Sequence, residues 1–179
     1  MRTIVHISDL HFGRHDNVVA EALHECIVKA SPDLLVVSGD LTQRARHVEF
    51  TAARAFLDRM SPVPMVIVPG NHDVPLYDVV RRFVRPLGRF RRLISPIVEP
   101  FFADDEIAVL GINTARSLAI KSGRISLEQM DKIRRTFETV PHSLLKALVI
   151  HHPLAPTADS PDLDRVGCSS QYLHEKARA

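Results

Sequence analysis

The stretch PDLLVVSGDLTQ, residues 32–43, predicts the architecture of the whole chain. Its apolar run Leu34–Val37 is short, continuous and rich in valine, which is typical of a strand covered on both faces of a sheet. Gly39 follows directly and lets the backbone turn sharply. Asp40 then places a carboxylate at the end of the strand, where α/β sheets gather their ligand-binding residues. The stretch therefore indicates a buried strand that delivers a polar side chain to a site.

Four similar apolar runs predict four further strands: TIVHI (3–7), PMVIVP (64–69), IAVLGI (107–112) and ALVIH (147–151). Helical patterns lie between them. Asp16 is placed to cap a first helix with one apolar face formed by Val18, Val19, Ala22, Leu23, Cys26, Ile27 and Ala30. A second helix has an apolar face of Val48, Phe50, Ala53, Phe56, Leu57 and Met60.

A third helix begins at Ser126, where Gln129 completes capping-box spacing. Its apolar stripe is formed by Leu127, Met130, Ile133, Phe137 and Val140. The order βαβαβ, a basic helical stretch and βαβ predicts an α/β sandwich. With 179 residues, 45% of them hydrophobic, residues 1–179 are expected to form one globular domain with a substantial core.

The composition also indicates the cellular location of the protein. No apolar stretch approaches the ~20 residues of a membrane-spanning helix, and the amino terminus lacks the long apolar core of a signal peptide. Cys26 and Cys168 have neither metal-site spacing nor the density of a disulfide scaffold. We therefore expect a cytoplasmic protein without membrane partners.

Potential metal ligands follow four of the predicted strands. They are Asp9 and His11 in SDLHFG, Asp40 in SGDLTQ, Asn71, His72 and Asp73 in PGNHD, and His151 and His152 in HHP. Alternation in an extended segment points the first two the same way. Carboxylate, amide and imidazole ligands without thiolates favour Mn, Fe or Zn over calcium or a structural zinc site. The joint occurrence of the four motifs, each at the end of a core strand, predicts a metal centre.

These motifs give the sequence a resemblance to the calcineurin-like metallophosphoesterases, a family that includes bacterial class III cyclic-nucleotide phosphodiesterases. The family pattern runs Asp-x-His, Gly-Asp, Gly-Asn-His-Asp/Glu, His and Gly-His-x-His. DLHFG, GDLTQ, GNHD and HHP match the first four motifs, over roughly residues 3–155. The resemblance implies a four-layer αββα sandwich and hydrolysis of a phosphodiester or phosphomonoester with the help of two divalent metal ions.

The resemblance also implies residue roles. Asp9 and His11 are expected on one metal, Asp40 bridges both, and Asn71 and His151 lie on the second. His151 is preferred to His152 because it directly ends the strand.

The resemblance makes His72 the catalytic group, which stabilises the phosphate or protonates the leaving oxygen. Asp73 is expected to orient His72 or a metal ligand. His152 has two open interpretations, a phosphate contact or a surface histidine stiffened by Pro153.

The last family motif, Gly-His-x-His, does not occur in the chain. After His152 the only histidine is His174, without a preceding glycine, and no further apolar strand is predicted after Ile150. The sandwich is therefore expected to be C-terminally incomplete and to lack its last strands. Three interpretations follow: a truncated phosphodiesterase, an intact protein completed by a partner or a second copy, and a catalytically silent metal-binding or scaffold protein.

The segment RRFVRPLGRFRR (81–92) holds six arginines and no acidic residue. It favours contact with phosphate, nucleic acid or an anionic surface. The alternative is a solvated face with Phe83, Val84, Leu87 and Phe90 packed inward. A nuclease resembling the SbcD and Mre11 group would use these arginines along a phosphate backbone. The short chain and its few aromatic residues argue against nucleic acid, so a small phosphoester, with a cyclic nucleotide among the candidates, is the expected substrate.

Overall fold

A computed structural model describes residues 1–118 and 122–154, together with the backbone of 166–168. The strands are β1 (Ile4–Ile7), β2 (Leu34–Ser38), β3 (Met65–Val68), β4 (Phe101–Ala103), β5 (Ile107–Gly111), β6 (Gly123–Ile125), β7 (Leu145–Val149) and β8 (Val166–Cys168). The helices are α1 (Asn17–Ala30), α2 (His47–Asp58), α3 (Val79–Val84), α4 (Gly88–Leu93) and α5 (Leu127–Glu138). All five predicted strands and all three predicted helices are present within these elements.

Two three-stranded sheets form the centre of the fold. The first has the order β1-β2-β3 with parallel pairing, and the second has the order β4-β5-β7, in which β4 is antiparallel to β5. A separate pair, β6 and β8, is parallel. The predicted absence of a strand after Ile150 is therefore wrong. β8 is only three residues long, and its Gly167 interrupts the apolar run that would have signalled it.

The residues of β2 alternate between two apolar clusters. Leu35 and Val37 pack with α1, α2 and α4 on one face. Leu34 and Val36 contact a cluster from β3 and the second sheet on the other face. Within β7, Ala147 belongs to this inter-sheet cluster. Lys146 must point to the opposite face, where its ammonium group donates to the Phe137 carbonyl of α5 over 2.7 Å. The layers thus run helix, sheet, sheet, helix, as the sequence predicted.

Several expectations about burial are wrong. β7 is an edge strand whose residues are only partly buried, and Leu127 of the predicted α5 stripe is exposed. β1 is an edge strand of its sheet and exposes Ile4 and His6, so it is not covered on both faces. The predicted apolar face of α1 is also rotated, because Val18 and Val19 are exposed. The inward positions are instead Ala20, Leu23, His24 and Ile27. This set has the i, i+3, i+4, i+7 spacing of a helix face.

The capping predictions are confirmed. The Asp16 carboxylate accepts hydrogen bonds from the first turn of α1, and Ser126 and Gln129 form the capping box of α5. The second helix also packs as predicted through Phe50, Ala53, Phe56 and Leu57, whereas Val48 is exposed.

The basic stretch 81–92 forms α3, the connecting turn and most of α4. Leu87 and Phe90 are buried, whereas Phe83 and Val84 are exposed, so the predicted inward packing holds for α4 and not for α3. No helix in the described part of the chain is long and apolar enough to cross a membrane. Cys26 is a free, exposed cysteine, and His174 lies outside the described residues.

Candidate metal centre

The loops after β1 and β2 run side by side at the carboxyl ends of the first sheet. The Asp9 amide donates to the Gly39 carbonyl over 3.1 Å, and the His11 amide donates to the Asp40 carbonyl over 2.9 Å. These main-chain bonds continue the parallel pairing of the two strands into the loops. Backbone pairing therefore brings three predicted ligands together before any side-chain contact is made.

Three of the candidate ligands have left-handed backbone conformations. The φ angles are +58° at Asp9, +45° at His11 and +53° at Asp40. Residues other than glycine rarely adopt such angles, which cost energy and tend to cluster at functional sites. The segment after β1 is therefore not extended at Asp9 and His11, so the prediction that strand alternation aligns these two side chains is wrong. Their positions follow from the turns of the loop.

Two glycines allow the backbone to approach these ligands closely. Gly39 has a φ of +86°, and a Cβ atom there would lie 2.7 Å from the His151 Nδ1 atom. A Cβ atom at Gly70 would overlap the Asp40 Oδ1 atom. Larger residues at either position would displace the side chains of the centre.

The Asp40 carboxylate lies at the middle of the centre. It is 3% exposed, and its two oxygens lie 3.5 Å from His151 Nε2 and 3.8 Å from His11 Nε2. The backbone amide of His72 donates to its Oδ1 atom over 2.8 Å. Asp9, which is mostly exposed, lies 3.7 Å from His11 Nε2.

Potential ligand atoms fall into two groups that share Asp40. One group combines Asp9, Asp40 and His151, and the other combines His11, Asp40 and His72; within each, the atoms lie within 4.8 Å of one another. Asp40 is thus the residue that the two groups have in common. The structure also draws His72 into the same group as His11, with ring centroids 4.8 Å apart.

The two adjacent histidines after β7 have different surroundings. His151 Nε2 lies 3.1 Å from Asn71 Oδ1, and its Nδ1 donates to the Ser38 carbonyl over 2.7 Å. His152 is buried, and its Nδ1 lies 2.7 Å from the Thr114 hydroxyl. The structure therefore brings His151 to the centre and places His152 in the protein interior, which excludes the interpretation of His152 as a surface histidine.

One ring nitrogen of His72 is engaged by the backbone. Its Nδ1 lies 2.8 Å from the Gln43 carbonyl, which can only accept, so Nδ1 carries a proton. This bond fixes the tautomer of the neutral ring and leaves Nε2 for a ligand or substrate.

Asp73 holds the loops after β2 and β3 together. Its buried carboxylate accepts hydrogen bonds from the amides of Leu41, Thr42 and Gly70 and from the Thr42 hydroxyl, at 3.0 to 3.2 Å. Burial and the neighbouring charge of Asp40 raise the pKa of Asp73 to about 6. Among the described residues Asp73 does not bond the His72 ring. Of the two expected roles, orienting His72 or a metal ligand, its bonds to the Leu41 and Thr42 amides fit the second, because they hold the loop that follows Asp40.

Charge pairing dominates the electrostatics of the centre. Burial alone would lower the pKa of His151, but its contact with Asp40 raises this pKa to about 9. Burial opposes ionisation of Asp40, yet the same contact holds the Asp40 pKa below its ordinary value. The two residues therefore form an ion pair at neutral pH. The protonated His151 ring supplies the positive charge that a bound cation would supply beside Asp40.

The donor set fits divalent metal ions. It combines a buried carboxylate, a second carboxylate, imidazoles and the Asn71 amide oxygen, with opposed ligand atoms close enough to share an ion. Within the described residues Cys26 lies outside these groups, so the set has no thiolate ligand. The donor set suits a hard or borderline divalent cation.

Three residues that shape the centre were not predicted from the sequence, because two act through a backbone carbonyl and one links two loops. The carbonyls of Ser38 and Gln43 fix two histidine rings, and Thr42 ties Asp73 to the Asp40 loop. A carbonyl carries no signal in residue identity, so Ser38 and Gln43 could not be found. Thr42 lies two residues after Asp40 in a polar turn, which was a usable signal.

Comparison with known proteins identifies a family whose model matches this chain. The family model described as calcineurin-like phosphoesterase matches residues 2–175. Two similar curated proteins are a probable glycerophosphodiester phosphodiesterase of Arcobacter nitrofigilis, 26% identical over 84% of this chain, and a probable cyclic nucleotide phosphodiesterase of Synechococcus sp., 26% identical over 84% of this chain. A glycerophosphodiester phosphodiesterase of Enterobacter lignolyticus is 24% identical over 94% of it. The chain spans 56%, 58% and 63% of the lengths of these relatives, respectively.

Proposed function

Because the chain belongs to the calcineurin-like phosphoesterase family, we propose that its strand-end centre hydrolyses small-molecule phosphodiesters with the help of two divalent metal ions. The observation that carries this proposal is the position of Asp40, whose carboxylate is shared by two groups of potential ligand atoms. A shared carboxylate is what a pair of neighbouring cations requires.

The residues divide between two cation positions. Asp9 and His11 would hold one ion, Asn71 and His151 would hold the other, and Asp40 would contact both. Such ions, when bound, lower the pKa of a water molecule and neutralise charge on phosphoryl oxygens. This division differs from the two groups of nearest ligand atoms, which combine Asp9 with His151 and His11 with His72 around Asp40. It is supported by the 3.7 Å distance between Asp9 and His11 Nε2 and by the 3.1 Å contact between His151 and Asn71.

His72 supplies the acid of the reaction. Since its Nδ1 proton is held by the Gln43 carbonyl, its Nε2 can donate only when the ring is protonated. An imidazolium in this position neutralises phosphate charge and then passes the Nε2 proton to the leaving oxygen. The neutral ring that remains keeps its Nδ1 bond and its orientation.

The substrate class follows from the relatives. They are named for glycerophosphodiesters and for cyclic nucleotides, which are both small phosphodiesters. We assign the same class to this chain. A catalytically silent metal-binding or scaffold protein is the alternative from another functional class, and it predicts metal binding without turnover.

Hydrolysis of bis(p-nitrophenyl) phosphate with added Mn²⁺ or Zn²⁺ tests the proposal. Asp40→Asn should abolish activity and His72→Ala should lower kcat by roughly 10²-fold or more, the contribution typical of a general acid. Asp58→Asn is the matched control, because that carboxylate is exposed on α2 and forms an ion pair with Arg54 of the same helix. Metal binding without hydrolysis would favour the silent alternative, and equal losses in both aspartate variants would reject the proposed centre.

A further inference from the structure

A cavity of about 1130 Å³ lies beside α3 and α4, outside the candidate metal centre. Its walls come from the two short helices, from His47 at the start of α2 and from residues 113–117 after β5. Val74, which follows the GNHD motif, is also part of the wall. None of the six candidate site residues lines it. The cavity is large enough for a ligand the size of a nucleotide.

Arginine dominates the polar wall of this cavity. Six line it: Arg81, Arg85, Arg89, Arg91, Arg92 and Arg116. No aspartate or glutamate is among the lining residues. Guanidinium groups bind phosphate oxygens through paired hydrogen bonds, so the wall matches a ligand with several phosphate groups.

Most of this positive charge is not neutralised within the described residues. The side chains of Arg85 and Arg92 form no hydrogen bond or ion pair there. Arg89 donates to the Ala45 carbonyl over 2.7 Å, which satisfies one donor without removing the charge. Arg81 alone has a carboxylate, Asp78, at 3.5 Å, and both members of that pair are well exposed.

Like charges surround Arg89. Partial burial and the charges of Arg81 and Arg92 hold the pKa of Arg89 below its ordinary value, although Asp78 and Glu49 partly offset them. The arginine remains charged at any physiological pH. Like charges gathered around a cavity cost free energy, and a bound polyanion would remove that cost.

The rest of the wall is apolar. Val74, Leu87 and Ala115 are buried residues that reach the cavity, and Val84 and Pro86 extend this surface. A purely inorganic anion would gain nothing from such a surface, whereas the organic part of a phosphorylated molecule would cover it. The wall contains no phenylalanine or tyrosine on which successive bases of a nucleic acid could stack.

We propose that this arginine-lined cavity binds a small organic polyphosphate, such as a nucleoside triphosphate, at a site separate from the metal centre. The arginines of α3 and α4 contact the phosphate groups, and the apolar wall covers the organic part.

Calorimetric titration of the full chain with ATP at about 150 mM salt, without added metal, tests the proposal. The double variant Arg85→Gln/Arg92→Gln removes two charges that have no side-chain partner in the described part of the chain, and it should weaken ATP binding at least about tenfold. Arg134→Gln/Arg135→Gln on α5 removes the same charge elsewhere and should leave ATP affinity unchanged. Arg85→Lys/Arg92→Lys keeps the charge and should recover part of the lost affinity.

Further titrations distinguish this cavity from the metal centre and ATP from other ligands. Asp40→Asn should bind ATP like the unmodified chain; lost binding there would place the ligand at the metal centre and overturn the proposal. ATP should bind more tightly than tripolyphosphate, and the reverse order would reject an organic ligand. Three other results would overturn the proposal. They are equal losses of ATP affinity in the two glutamine double variants, tighter binding of a single-stranded oligonucleotide than of ATP, and no binding of ATP.

Discussion

His151 and Asn71 are 80 residues apart in the chain, yet the His151 Nε2 atom lies 3.1 Å from the Asn71 Oδ1 atom. The contact joins the end of β7 in the second sheet to the loop after β3 in the first. It shows that the candidate centre is built across both sheets, so the packing between the sheets determines its geometry. His151 is held in this position by the Ser38 carbonyl from β2.

The first prediction separates the two adjacent histidines. His151→Asn should weaken Mn²⁺ binding by about tenfold or more, because a ligand at the centre is lost. His152→Asn should leave Mn²⁺ affinity within about threefold and lower stability, because His152 is buried and bonded to Thr114. Metal calorimetry and urea unfolding of both variants measure the two effects. Reversed effects would show that His152 is the ligand.

The second prediction concerns the close approach at Gly70. Gly70→Ala should abolish hydrolysis and lower the free energy of unfolding by about 2 kcal/mol or more, because the new Cβ atom would overlap the Asp40 carboxylate. Gly88→Ala is the control, since its nearest neighbour would be the Arg85 Cβ atom at 3.3 Å. Thermal unfolding and phosphodiester hydrolysis follow both variants. Full activity in Gly70→Ala would contradict the proposed position of Asp40.

The third prediction tests Asp73 as the residue that joins two loops. Asp73→Asn should lower the free energy of unfolding by about 1 to 2 kcal/mol, because an amide offers a donor where the carboxylate accepts four hydrogen bonds. This loss exceeds the relief of removing a buried charge beside Asp40, the charge that raises the Asp73 pKa. Thr42→Val removes one of these donors, the hydroxyl, and should cost less. Urea unfolding compares the variants, and a larger loss in Thr42→Val would reject this role.

The sequence predicted the strand ends because their two signals are strong. A short run such as Leu34–Val37, rich in valine and directly followed by glycine, is typical of a central strand, and polar residues directly after it lie at the sheet edge. These signals act over a few residues and need no knowledge of the tertiary fold.

Features that depend on tertiary context were not predicted. The apolar face of α1 was misplaced because Val18 and Val19 are as hydrophobic as Ala20 and Leu23, and only the neighbouring elements decide which side is covered. Three-residue strands such as β4 and β6 are too short for a pattern of alternation. The left-handed backbone at Asp40 arises from the loop that surrounds it.

The fourth prediction concerns a polar network far from the metal centre. Glu99 accepts a hydrogen bond from the Gln129 amide and pairs with the Lys132 ammonium group at 2.7 Å. Partial burial would raise the pKa of Glu99, but these two contacts outweigh burial and hold the pKa below the ordinary 4.5. The folded state therefore favours the ionised carboxylate more than the unfolded state does.

The sign of the pH effect follows from this lowered pKa. The carboxylate contributes its full stability above pH 4.5, and the contribution is lost as the pH falls through the pKa of the folded state. Glu99→Gln should therefore lower the free energy of unfolding by about 1 kcal/mol at pH 7, since Lys132 is partly exposed, and the difference should shrink below pH 4.5. Glu138→Gln, whose pair with Arg134 is fully at the surface, should change stability by less than about 0.5 kcal/mol. Urea unfolding of the three proteins from pH 3 to 8 measures these differences, and a Glu99→Gln effect that grows in acid would contradict the lowered pKa.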